Sequence, residues 1–393
     1  MDLRFTEEEE KFRQEVIAFI DKEIPPQMRA DYDALDLTPE QFEFAGRLDR
    51  KLVERGWLCM HWPKEYGGQG ASITKQVLFN EEMSFRGVPS RNHMGINIVG
   101  PAIMLYGSHE QKKKFLPAIT QAEYEWCQGF SEPNSGSDLA SLKTTAKEDG
   151  DGYIINGQKI WSSRAHHAGY CWLLARTDAE APKHKGLSTF AVDMKTPGVT
   201  IRPIVTILGS THFCELFFDK VRLPKDALVG EKNRGWYQAM GTLSFERSGI
   251  NRVGSVRRAL CDLIEYVKTH KRDRVLLSQD PLVRHEIAEL ETEVEVARLL
   301  CYRVAWLQSK GQVPSYESSM ARAFGHELSQ KVARVSMKIL GLESQFMPGD
   351  AQAPIEGNVG RAFLSTICNS IRSGTSEIQR NIIAQRGLGL PRK

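Results

Sequence analysis

The sequence predicts a mainly α-helical protein with a central β-domain: an N-terminal helical domain, a middle β-barrel or sandwich, and a C-terminal four-helix bundle. Apolar residues recur at helical spacing up to about residue 120. Short β-type runs separated by Gly, Pro and Asp follow up to about residue 232, and long amphipathic segments with short connections then continue to the end. We therefore expect domains at 1–122, 123–235 and 236–393.

The helical parts are identified by their start and stop signals. The segment TEEEEKFRQEVIAFIDKEI begins with Thr6, a suitable N-cap, and places acidic residues in the first turn. The C-terminal part contains a candidate helix of more than thirty residues, GWYQAMGTLSFERSGINRVGSVRRALCDLIEYVKTHKRD. A second helix closed by Gly311 and a third with Gly341 as its C-cap follow, and together they predict the bundle.

The middle part is typical of antiparallel β-structure. GYIINGQKIWSS carries Asn156-Gly157 between two strand-like runs, which predicts a hairpin there. YCWLLART, LSTFAVDM, VTIRPI and CELFFDKVRLP follow as further short strands. Their spacing predicts a small sandwich or barrel.

Composition argues against several classes of function. The net charge of +3 is small for 393 residues and no basic run with interleaved aromatics is present, so nucleic-acid binding is not expected. No stretch of about 18 uncharged apolar residues exists, so no membrane span is expected, and the acidic start MDLRFTEEEE does not fit a signal peptide. Seven dispersed cysteines without a CxxC pair predict neither disulfides nor a metal site, and they favour a reducing, cytoplasmic location.

One carboxylate lies where the pattern predicts a buried face. In TLSFERSGI (242–250), the helical neighbours of Glu246 at three, four and seven positions are all apolar: Ala239, Leu243, Ile250 and Val253. A buried carboxylate is unfavourable unless it is paired or has a chemical role. From these residues alone two interpretations stay open: an ion pair with Arg247 or Arg252, or a functional group.

Three polar motifs suit a planar ligand with a polar edge. FSEPNSGSDLASLKTTA (130–146) is rich in Ser, Thr, Gly and Asn, which form turns but also supply N–H groups and hydroxyls. KIWSS places Trp161 beside Ser163, an aromatic face next to small donors, although a core Trp fits the pattern as well. In SGTSEIQRNIIAQRGLGLP, Ser373 and Thr375 are N-cap candidates of a last helix that has Glu377 in its first turn.

These motifs, in this order, resemble the acyl-CoA dehydrogenase family of flavoenzymes. The resemblance rests on FSEPNSGSDL, YIINGQKIWSS, DKVRLPKDALVGEKNRGW and GTSEIQRNIIAQRGLGLP together with the α–β–α order, and it extends from the first helix to the last residues. It implies that family's fold, FAD as cofactor, an acyl-CoA thioester as substrate and an electron-transfer flavoprotein as electron acceptor. It also implies a tetramer, either of one chain or of two related chains.

The resemblance assigns cofactor contacts to four groups of residues. The contacts of the isoalloxazine ring would be Phe130, Ser131, Trp161 and Ser163. The residues near the phosphates and the CoA moiety would be Gly136 and Ser137. The flavin contacts at the start of the last helix would be Thr375 and Glu377. The FAD of a neighbouring subunit would be held at Lys338 and Gly341.

The position of the catalytic base departs from the commonest pattern of the family. There the base is a Glu immediately before Gly-Thr in the last motif, and here that position is Ser373. Isovaleryl-type and long-chain-type members instead place the Glu on the helix that opens the C-terminal domain, directly before an Arg. That position is Glu246, so the resemblance predicts Glu246 as the base, Arg247 beside the substrate and the N–H of Ser373 as a donor to the thioester oxygen.

A second departure concerns binding of FAD by the neighbouring subunit. The family's Arg-x-x-Phe-Gly run and the Gln that follows it are absent from THKRDRVLLSQDPLVRHEIAEL, where Arg272 or Arg274 would supply the charge to the pyrophosphate. Arg91 lies near the position where members acting on dicarboxylyl-CoA substrates keep an Arg for the distal carboxylate, and a surface position is the alternative for it. These departures are similar to those of bacterial members that act on bulky acyl-CoAs, some of which are heteromers.

The predicted function is FAD-dependent α,β-dehydrogenation of a branched, cyclic, aromatic or otherwise bulky acyl-CoA, with proton abstraction by Glu246 and hydride transfer to the flavin. Two alternatives stay open. One is a relative with oxidase or monooxygenase activity, and the other is a non-catalytic or partner-dependent subunit of a heteromeric dehydrogenase. Ser373 and the altered FAD-contact region favour the second alternative, whereas the intact SEPNSGSD and WSS motifs and Glu246 argue against it.

Overall fold

The structure is a computed structural model that describes residues 4–30, 32, 37–242 and 249–391. The helices in these ranges are α1 (Glu7–Glu23), α2 (Pro39–Glu54), α3 (Ile73–Phe85), α4 (Gly100–Tyr106), α5 (His109–Thr120), α6 (Gly235–Thr242), α7 (Ile250–Thr269), α8 (Pro281–Ser309), α9 (Tyr316–Leu340), α10 (Asn358–Thr366) and α11 (Ser376–Ile382). The strands are β1 (Glu125–Gly129), β2 (Thr145–Asp149), β3 (Gly152–Ser163), β4 (Ala168–Arg176), β5 (Leu187–Asp193), β6 (Val199–Ile204), β7 (Phe213–Pro224), β8 (Leu228–Val229), β9 (Lys271–Arg272) and β10 (Val275–Leu276).

The described residues fall into two compact units. The helical unit comprises those within Met1–Gln41, Ser72–Pro89 and Arg247–Lys393, and the sheet unit comprises those within Phe42–Ala71 and Ser90–Glu246. Helices α1 and α3 therefore lie with α7 to α11, whereas α4, α5, α6 and α2 from Phe42 onward lie with the sheet. The three domain boundaries expected from the sequence stay a prediction.

Helix ends in the helical unit follow the sequence signals. Thr6 caps α1 through a capping box, Gly311 follows α8 with a φ of 71°, and Gly341 is the C-cap of α9 with a φ of 67°. The prediction of a single helix of more than thirty residues is wrong, because α7 begins only at Ile250. The preceding Gly249 has a φ of 72°, a left-handed conformation that a right-handed helix does not contain.

The helical unit closes around a shared apolar core. This core is formed mainly by residues of α7, α8 and α9, among them Leu260, Leu290, Val294 and Val332. Helix α3 joins it through a buried carboxylate: Glu81 accepts from Arg298 Nε at 2.7 Å and from the hydroxyl of Tyr302. A buried charge is tolerated there because it is paired and hydrogen-bonded.

The strands form the central sheet that the sequence predicts. The order is β6-β7-β3-β2-β4-β5-β8, and β1 adds to it in parallel beside β4. Successive side chains of a strand point to opposite sides, and each side of this sheet has its own core cluster. One cluster includes Trp62, Ile103, Phe115, Trp126 and Trp172. The other includes Tyr153, Cys171, Phe190, Leu216 and Val221.

The prediction of a hairpin turn at Asn156-Gly157 is wrong. Both residues lie inside the continuous strand β3, and the chain turns between β2 and β3 at Gly150-Asp151 instead. Gly157 is required for a different reason, because a Cβ at that position would lie 2.4 Å from Thr144 Oγ1. A close approach between segments, not a turn, therefore explains this glycine.

Three further observations bear on the class of protein. Within the described ranges, no helix has the length and the apolar character that a membrane crossing requires. In the same residues, no group of three or more His, Cys, Asp or Glu side chains is arranged to hold a metal ion. All seven cysteines lie in the described part of the chain and are free thiols.

Candidate active site

A bulge in β3 turns Trp161 out of the sheet. Tyr153, Ile155 and Lys159 alternate into the interior, and regular alternation would take Trp161 inside as well. The pairing of β3 with β7 shifts register between Lys159 and Ser162, so Ser162 is buried and Trp161 is 56% exposed. Trp161 has a φ of 62°, which is unfavourable by about 1 kcal/mol for a residue with a side chain. A strained, exposed aromatic ring indicates a binding role rather than a packing role.

Trp161 lies beside two of the other predicted ring contacts. The N–H of Ile160 donates to the carbonyl oxygen of Ser131 at 2.9 Å, and Ser163 pairs with Phe213 of β7. The rings of Trp161 and Phe213 meet edge to face, with centroids 5.9 Å apart and an interplanar angle of 86°. The structure therefore brings Ser131, Trp161 and Ser163 together along one edge of β3.

A buried ion pair holds the loop between β1 and β2. Lys159 is fully buried and donates from Nζ to Glu132 Oε1 at 2.9 Å and to the carbonyl oxygen of Phe130 at 3.0 Å. Glu132 also accepts from the N–H groups of Lys143 at 2.6 Å and Thr144 at 2.8 Å. Sequence reasoning missed Lys159 and Glu132. The available signal was a Lys at an inward-facing position of a strand.

Both members of this pair stay charged near neutral pH. Burial lowers the pKa of Lys159 to about 8, and the attraction of Glu132 limits that effect. Burial opposes ionisation of Glu132, but Lys159 and the hydrogen bonds from Thr144 and Lys143 outweigh it, so the pKa of Glu132 lies below its ordinary value. The loop is thus held by a charged network that is removed from solvent.

The tip of this loop offers an open surface. Gly136 and Ser137 are exposed, and in the part of the chain that is described no atom lies within 4 Å of the place a Cβ of Gly136 would take. Beneath the tip, Ser135 is buried and its Oγ donates to the carbonyl oxygen of Asp138 at 2.9 Å. An exposed glycine on a braced loop lets a phosphate approach the backbone closely. The open ring of Trp161, the adjacent serines and this loop together fit a planar cofactor that carries phosphates.

In the helical unit, three predicted contacts lie close to one another. Arg272 Nη2 donates at 2.5 Å to the carbonyl oxygen of Ile339, which lies between Lys338 and Gly341 at the end of α9. Lys338 pairs with Glu286 at 2.5 Å, and both Arg272 and Lys338 are largely exposed. Cationic side chains at the exposed end of a helix suit an anionic group such as a pyrophosphate.

The start of the last helix is as predicted. Thr375 Oγ1 accepts from the N–H of Ile378 at 3.2 Å, which confirms Thr375 as the N-cap of α11 and leaves Ser373 before the cap. Ser373 is exposed and has a φ of 56°. Hydrogen bonds from its own N–H and from Thr375 lower the pKa of Glu377.

Arg91 is engaged by two buried carboxylates of the sheet unit. Its Nε lies 3.4 Å from Asp49 Oδ2 and 3.8 Å from Glu125 Oε1, and its guanidinium lies over the ring of Phe42 at 5.2 Å. Burial raises the pKa of Asp49 to about 6 and that of Glu125 to about 7. The Arg91 side chain is 22% exposed, so it is partly buried, and its surface position stays an alternative. Its role in holding a substrate carboxylate stays a prediction, which these ion pairs disfavour.

Glu246 and Arg247 lie outside the described residues. Helix α6 leads to this segment and Ile250 starts the next helix after it. The predicted roles of both residues therefore rest on the sequence.

Three parts of the chain match models of one family. Residues 6–123 match the N-terminal domain of acyl-CoA dehydrogenase, residues 127–221 the middle domain and residues 233–388 the C-terminal domain. These matches cover most of the chain in the expected order.

Similar proteins and solved structures carry the same family name. The chain is 37% identical to acyl-CoA dehydrogenase IpdE1 of Mycobacterium tuberculosis over 90% of each chain, and 34% identical to FadE26 of the same organism over 100% of this chain and 99% of the other. It superposes with a TM-score of 0.91 on the Tcur3481-Tcur3483 steroid ACAD and of 0.89 on the ChsE4-ChsE5 complex of Mycobacterium tuberculosis. Both structural matches show 33% identity and cover 100% of both chains.

Proposed function

The chain belongs to the acyl-CoA dehydrogenase family of oxidoreductases, and we propose that it catalyses the FAD-dependent α,β-dehydrogenation of a bulky acyl-CoA thioester. The observation that carries this proposal is the bulge that exposes Trp161 in a strained conformation beside Ser131 and Ser163. The bulky acyl group is supported by the resemblance to a structure described as a steroid ACAD. It is also supported by the predicted position of the base on the helix that opens the C-terminal domain.

FAD fits the residues that are present, and we assign its binding as follows. The isoalloxazine ring would be held by Phe130, Ser131, Trp161, Ser163, Thr375 and Glu377. The phosphates would be held by the loop that contains Gly136 and Ser137. When bound, FAD supplies the acceptor for the hydride that leaves the β-carbon.

We assign the base to Glu246. Its carboxylate would accept the α-proton of the thioester as the α C–H bond breaks, which requires it to be ionised and within hydrogen-bond reach of that proton. The N–H of Ser373 would donate to the thioester oxygen, where negative charge develops, and Arg247 would lie beside the substrate. Replacement of the family's usual Glu by Ser373 removes a carboxylate but keeps this backbone donor.

We also propose an assembly of more than one subunit. Arg272, Lys338 and Gly341 lie together at the exposed end of α9 and would hold the FAD of a neighbouring subunit. A homotetramer is the first candidate, and the similarity to a structure described as the ChsE4-ChsE5 complex makes a heterotetramer with a related chain the second. Electrons would pass from the reduced enzyme to an electron-transfer flavoprotein.

The proposal is tested by anaerobic mixing of the purified holoenzyme with straight, branched, alicyclic, aromatic and dicarboxylic acyl-CoAs. Loss of the flavin absorbance with one class identifies both the reaction and the class of substrate, and we expect it with the branched or alicyclic thioesters. Bound FAD that no thioester bleaches would contradict the proposal, and purification without FAD would favour a scaffold subunit. Rapid reoxidation by oxygen while product is bound would favour an oxidase.

A variant of the base sharpens this experiment. Glu246→Gln should lower the rate of bleaching by roughly 10²–10⁴-fold, because an amide cannot accept the proton, while FAD stays bound. Glu291→Gln, at an exposed position of α8, is the matched control and should leave the rate unchanged. Equal rates in both variants would show that another group removes the proton.

A further inference from the structure

Arg164 directly follows the predicted ring contacts of β3 and has a strained backbone. Its φ of 52° lies in the left-handed region, which is unfavourable for a residue with a side chain, and Trp161 three positions earlier has the same kind of strain. Glycine or asparagine would adopt this conformation more readily. The turn between β3 and β4 therefore does not explain an arginine at this position, whereas the contacts of its side chain do.

The guanidinium of Arg164 fixes the end of β3 to a segment that is distant in the sequence. Its Nη1 donates to the carbonyl oxygen of Ser90, 74 residues earlier, at 2.7 Å and to that of Arg91 at 3.4 Å. Hydrogen bonds from a charged donor are roughly twice as strong as those between neutral groups. This contact therefore couples the end of β3 to the segment that precedes the π-helical turn Gly95–Val99.

The backbone of Arg164 adds a second contact, to the loop between β6 and β7. Its N–H donates to the carbonyl oxygen of His212 at 2.6 Å. The next residue, Phe213, meets the ring of Trp161 edge to face, with centroids 5.9 Å apart. Arg164 is thus bonded both to Ser90 and to the residue that precedes the aromatic neighbour of Trp161.

Two buried carboxylates lie close enough to feel the charge of Arg164. Burial raises the pKa of Glu125 to about 7 and that of Asp49 to about 6, and the positive charges of Arg164 and Arg91 oppose both rises. When these carboxylates are ionised, their charge stabilises a cation at position 164. The electrostatic surroundings therefore favour the same position of the guanidinium as its hydrogen bonds do.

The bulge that carries the predicted ring contacts is held at two places. Ser162 donates from Oγ to the carbonyl oxygen of Gln128 at 2.9 Å, so β1 holds the bulge on its buried side. Arg164 holds it where β3 ends. Ser163 lies between these two contacts and Trp161 lies directly before the first. A site for a planar ring requires its contact residues to be fixed by such supporting bonds.

We propose that Arg164 is a positioning residue, which keeps Trp161 and Ser163 in place for the flavin ring by fixing the end of β3 to Ser90. This inference rests on the proposed function and adds to it a residue that acts through the ring contacts. The strained backbone of Arg164 is tolerated because these hydrogen bonds outweigh the strain. Loss of the guanidinium should therefore disturb the ring contacts more than the fold.

The test compares Arg164→Asn with Arg164→Lys in the purified holoenzyme with excess FAD. Asparagine tolerates the left-handed backbone but is too short to reach Ser90, whereas lysine keeps a cation that can donate. With a thioester that bleaches the wild-type flavin, Arg164→Asn should lower kcat by at least about tenfold and change KM by less than about threefold. A misplaced ring slows hydride transfer but not binding of the thioester. Arg164→Lys should recover most of this loss.

Visible circular dichroism of the bound flavin gives a readout that does not depend on activity. This spectrum responds to the surroundings of the ring, so it should change in Arg164→Asn and return towards that of the wild type in Arg164→Lys. Lys220→Asn is the matched control, because Lys220 is an exposed cation with a φ of 51°. It should keep kcat, KM and the flavin spectrum of the wild type.

Three results would overturn the inference. They are an unchanged kcat and flavin spectrum in Arg164→Asn, equal losses in the asparagine and lysine variants, and failure of Arg164→Asn to fold, which would show that the residue supports the fold as a whole. Bound FAD that no acyl-CoA bleaches in the wild type would contradict the proposed function instead. The flavin spectra of the two variants would then still test the role of Arg164.

Discussion

Two groups of buried polar side chains in the sheet unit differ in how fully they are satisfied. Lys159 and Glu132 are surrounded by partners: each charge meets the other, and the remaining hydrogen bonds go to the backbone of the loop. Trp126, Gln128 and Trp172 point donors at no partner in the described chain. A satisfied group stabilises the apoprotein, whereas a buried donor without a partner is unfavourable by about 1–3 kcal/mol. The charged pair therefore holds the loop of the candidate site, whereas the three neutral donors contribute no stabilising hydrogen bond.

The largest expected effect comes from breaking the satisfied pair. Lys159→Met leaves the carboxylate of Glu132 buried without its cation, which should lower the free energy of unfolding by about 3–5 kcal/mol. The loop at residues 130–144 should then lose its position, so the purified protein should retain less FAD. Urea denaturation and the ratio of flavin to protein absorbance measure the two effects.

The same loop offers an exposed ion pair as the control. Lys183 Nζ lies 2.8 Å from Asp138, and both side chains are more than half exposed. Lys183→Met should therefore change the free energy of unfolding by no more than about 1 kcal/mol. Similar small losses in both variants would contradict the claim that the buried pair holds the loop.

A second expected effect is a pH dependence of stability at a site where one arginine faces two buried carboxylates. Arg91 faces both Asp49 and Glu125, and burial raises the pKa of Glu125 to about 7. The folded protein then keeps this proton to a higher pH than the unfolded chain. The contribution of Glu125 to the free energy of unfolding should be fully present below about pH 4, fall as the pH rises to about 7 and level off above that.

Glu125→Gln should remove most of this fall, so at pH 8 the variant should be more stable than the wild type by up to about 3 kcal/mol. Unfolding by urea at a series of pH values measures the curve, and Glu123→Gln, at an exposed position, should reproduce the wild-type curve. A uniform loss of stability in Glu125→Gln at every pH would show that its carboxylate is needed in the ionised form.

A third prediction separates stability from cofactor binding at Trp161. Trp161→Gly relieves the strain of the left-handed backbone conformation but raises the conformational entropy of the unfolded chain. These effects oppose each other, so the free energy of unfolding of the apoprotein should change by less than about 1 kcal/mol. FAD affinity should fall about tenfold, because the loss of an aromatic contact corresponds to about 1.4 kcal/mol. Lys220→Gly, at another exposed residue with a positive φ of 51°, should affect neither quantity by a comparable amount. A large loss of stability in Trp161→Gly with unchanged FAD affinity would indicate a packing role.

The smallest expected effect on stability is at the hydroxyl of Thr375, which caps α11. Thr375→Ala removes the acceptor for the N–H of Ile378 and should lower the free energy of unfolding by about 1 kcal/mol. Thr375→Ser keeps the acceptor and should stay within a few tenths of a kcal/mol of the wild type. Thermal denaturation distinguishes them, and equal losses in the two variants would mean that the methyl group, not the cap, is important.

Local signals explain what could be predicted from the sequence. Helix caps at Thr6, Gly341 and Thr375 depend on residues within one turn, so the sequence predicts them. Strands β4 to β7 were readable from their composition and spacing. The adjacency of Trp161 and Ser163 follows from a separation of two residues along one strand.

Contacts between distant residues explain what could not be predicted. Gly157 looked like a turn residue, but its absent side chain is required by Thr144 across a strand pair. Lys159 pairs with Glu132, which is 27 residues away in the sequence, and Arg91 pairs with Asp49, which is 42 residues away. The bulge that exposes Trp161 depends on the register between β3 and β7, which no local pattern records.

Exchange of the α-hydrogen tests the central claim most directly. The holoenzyme is mixed in D₂O with a thioester of the class that bleaches the flavin, in which sulfur replaces the β-carbon so that no hydride can leave. We predict exchange of the α-hydrogens by the wild type and a rate roughly 10²–10⁴-fold lower in Glu246→Gln, followed by NMR of the thioester. Equal exchange rates in the two proteins, with FAD bound to both, would contradict the assignment of Glu246 as the base.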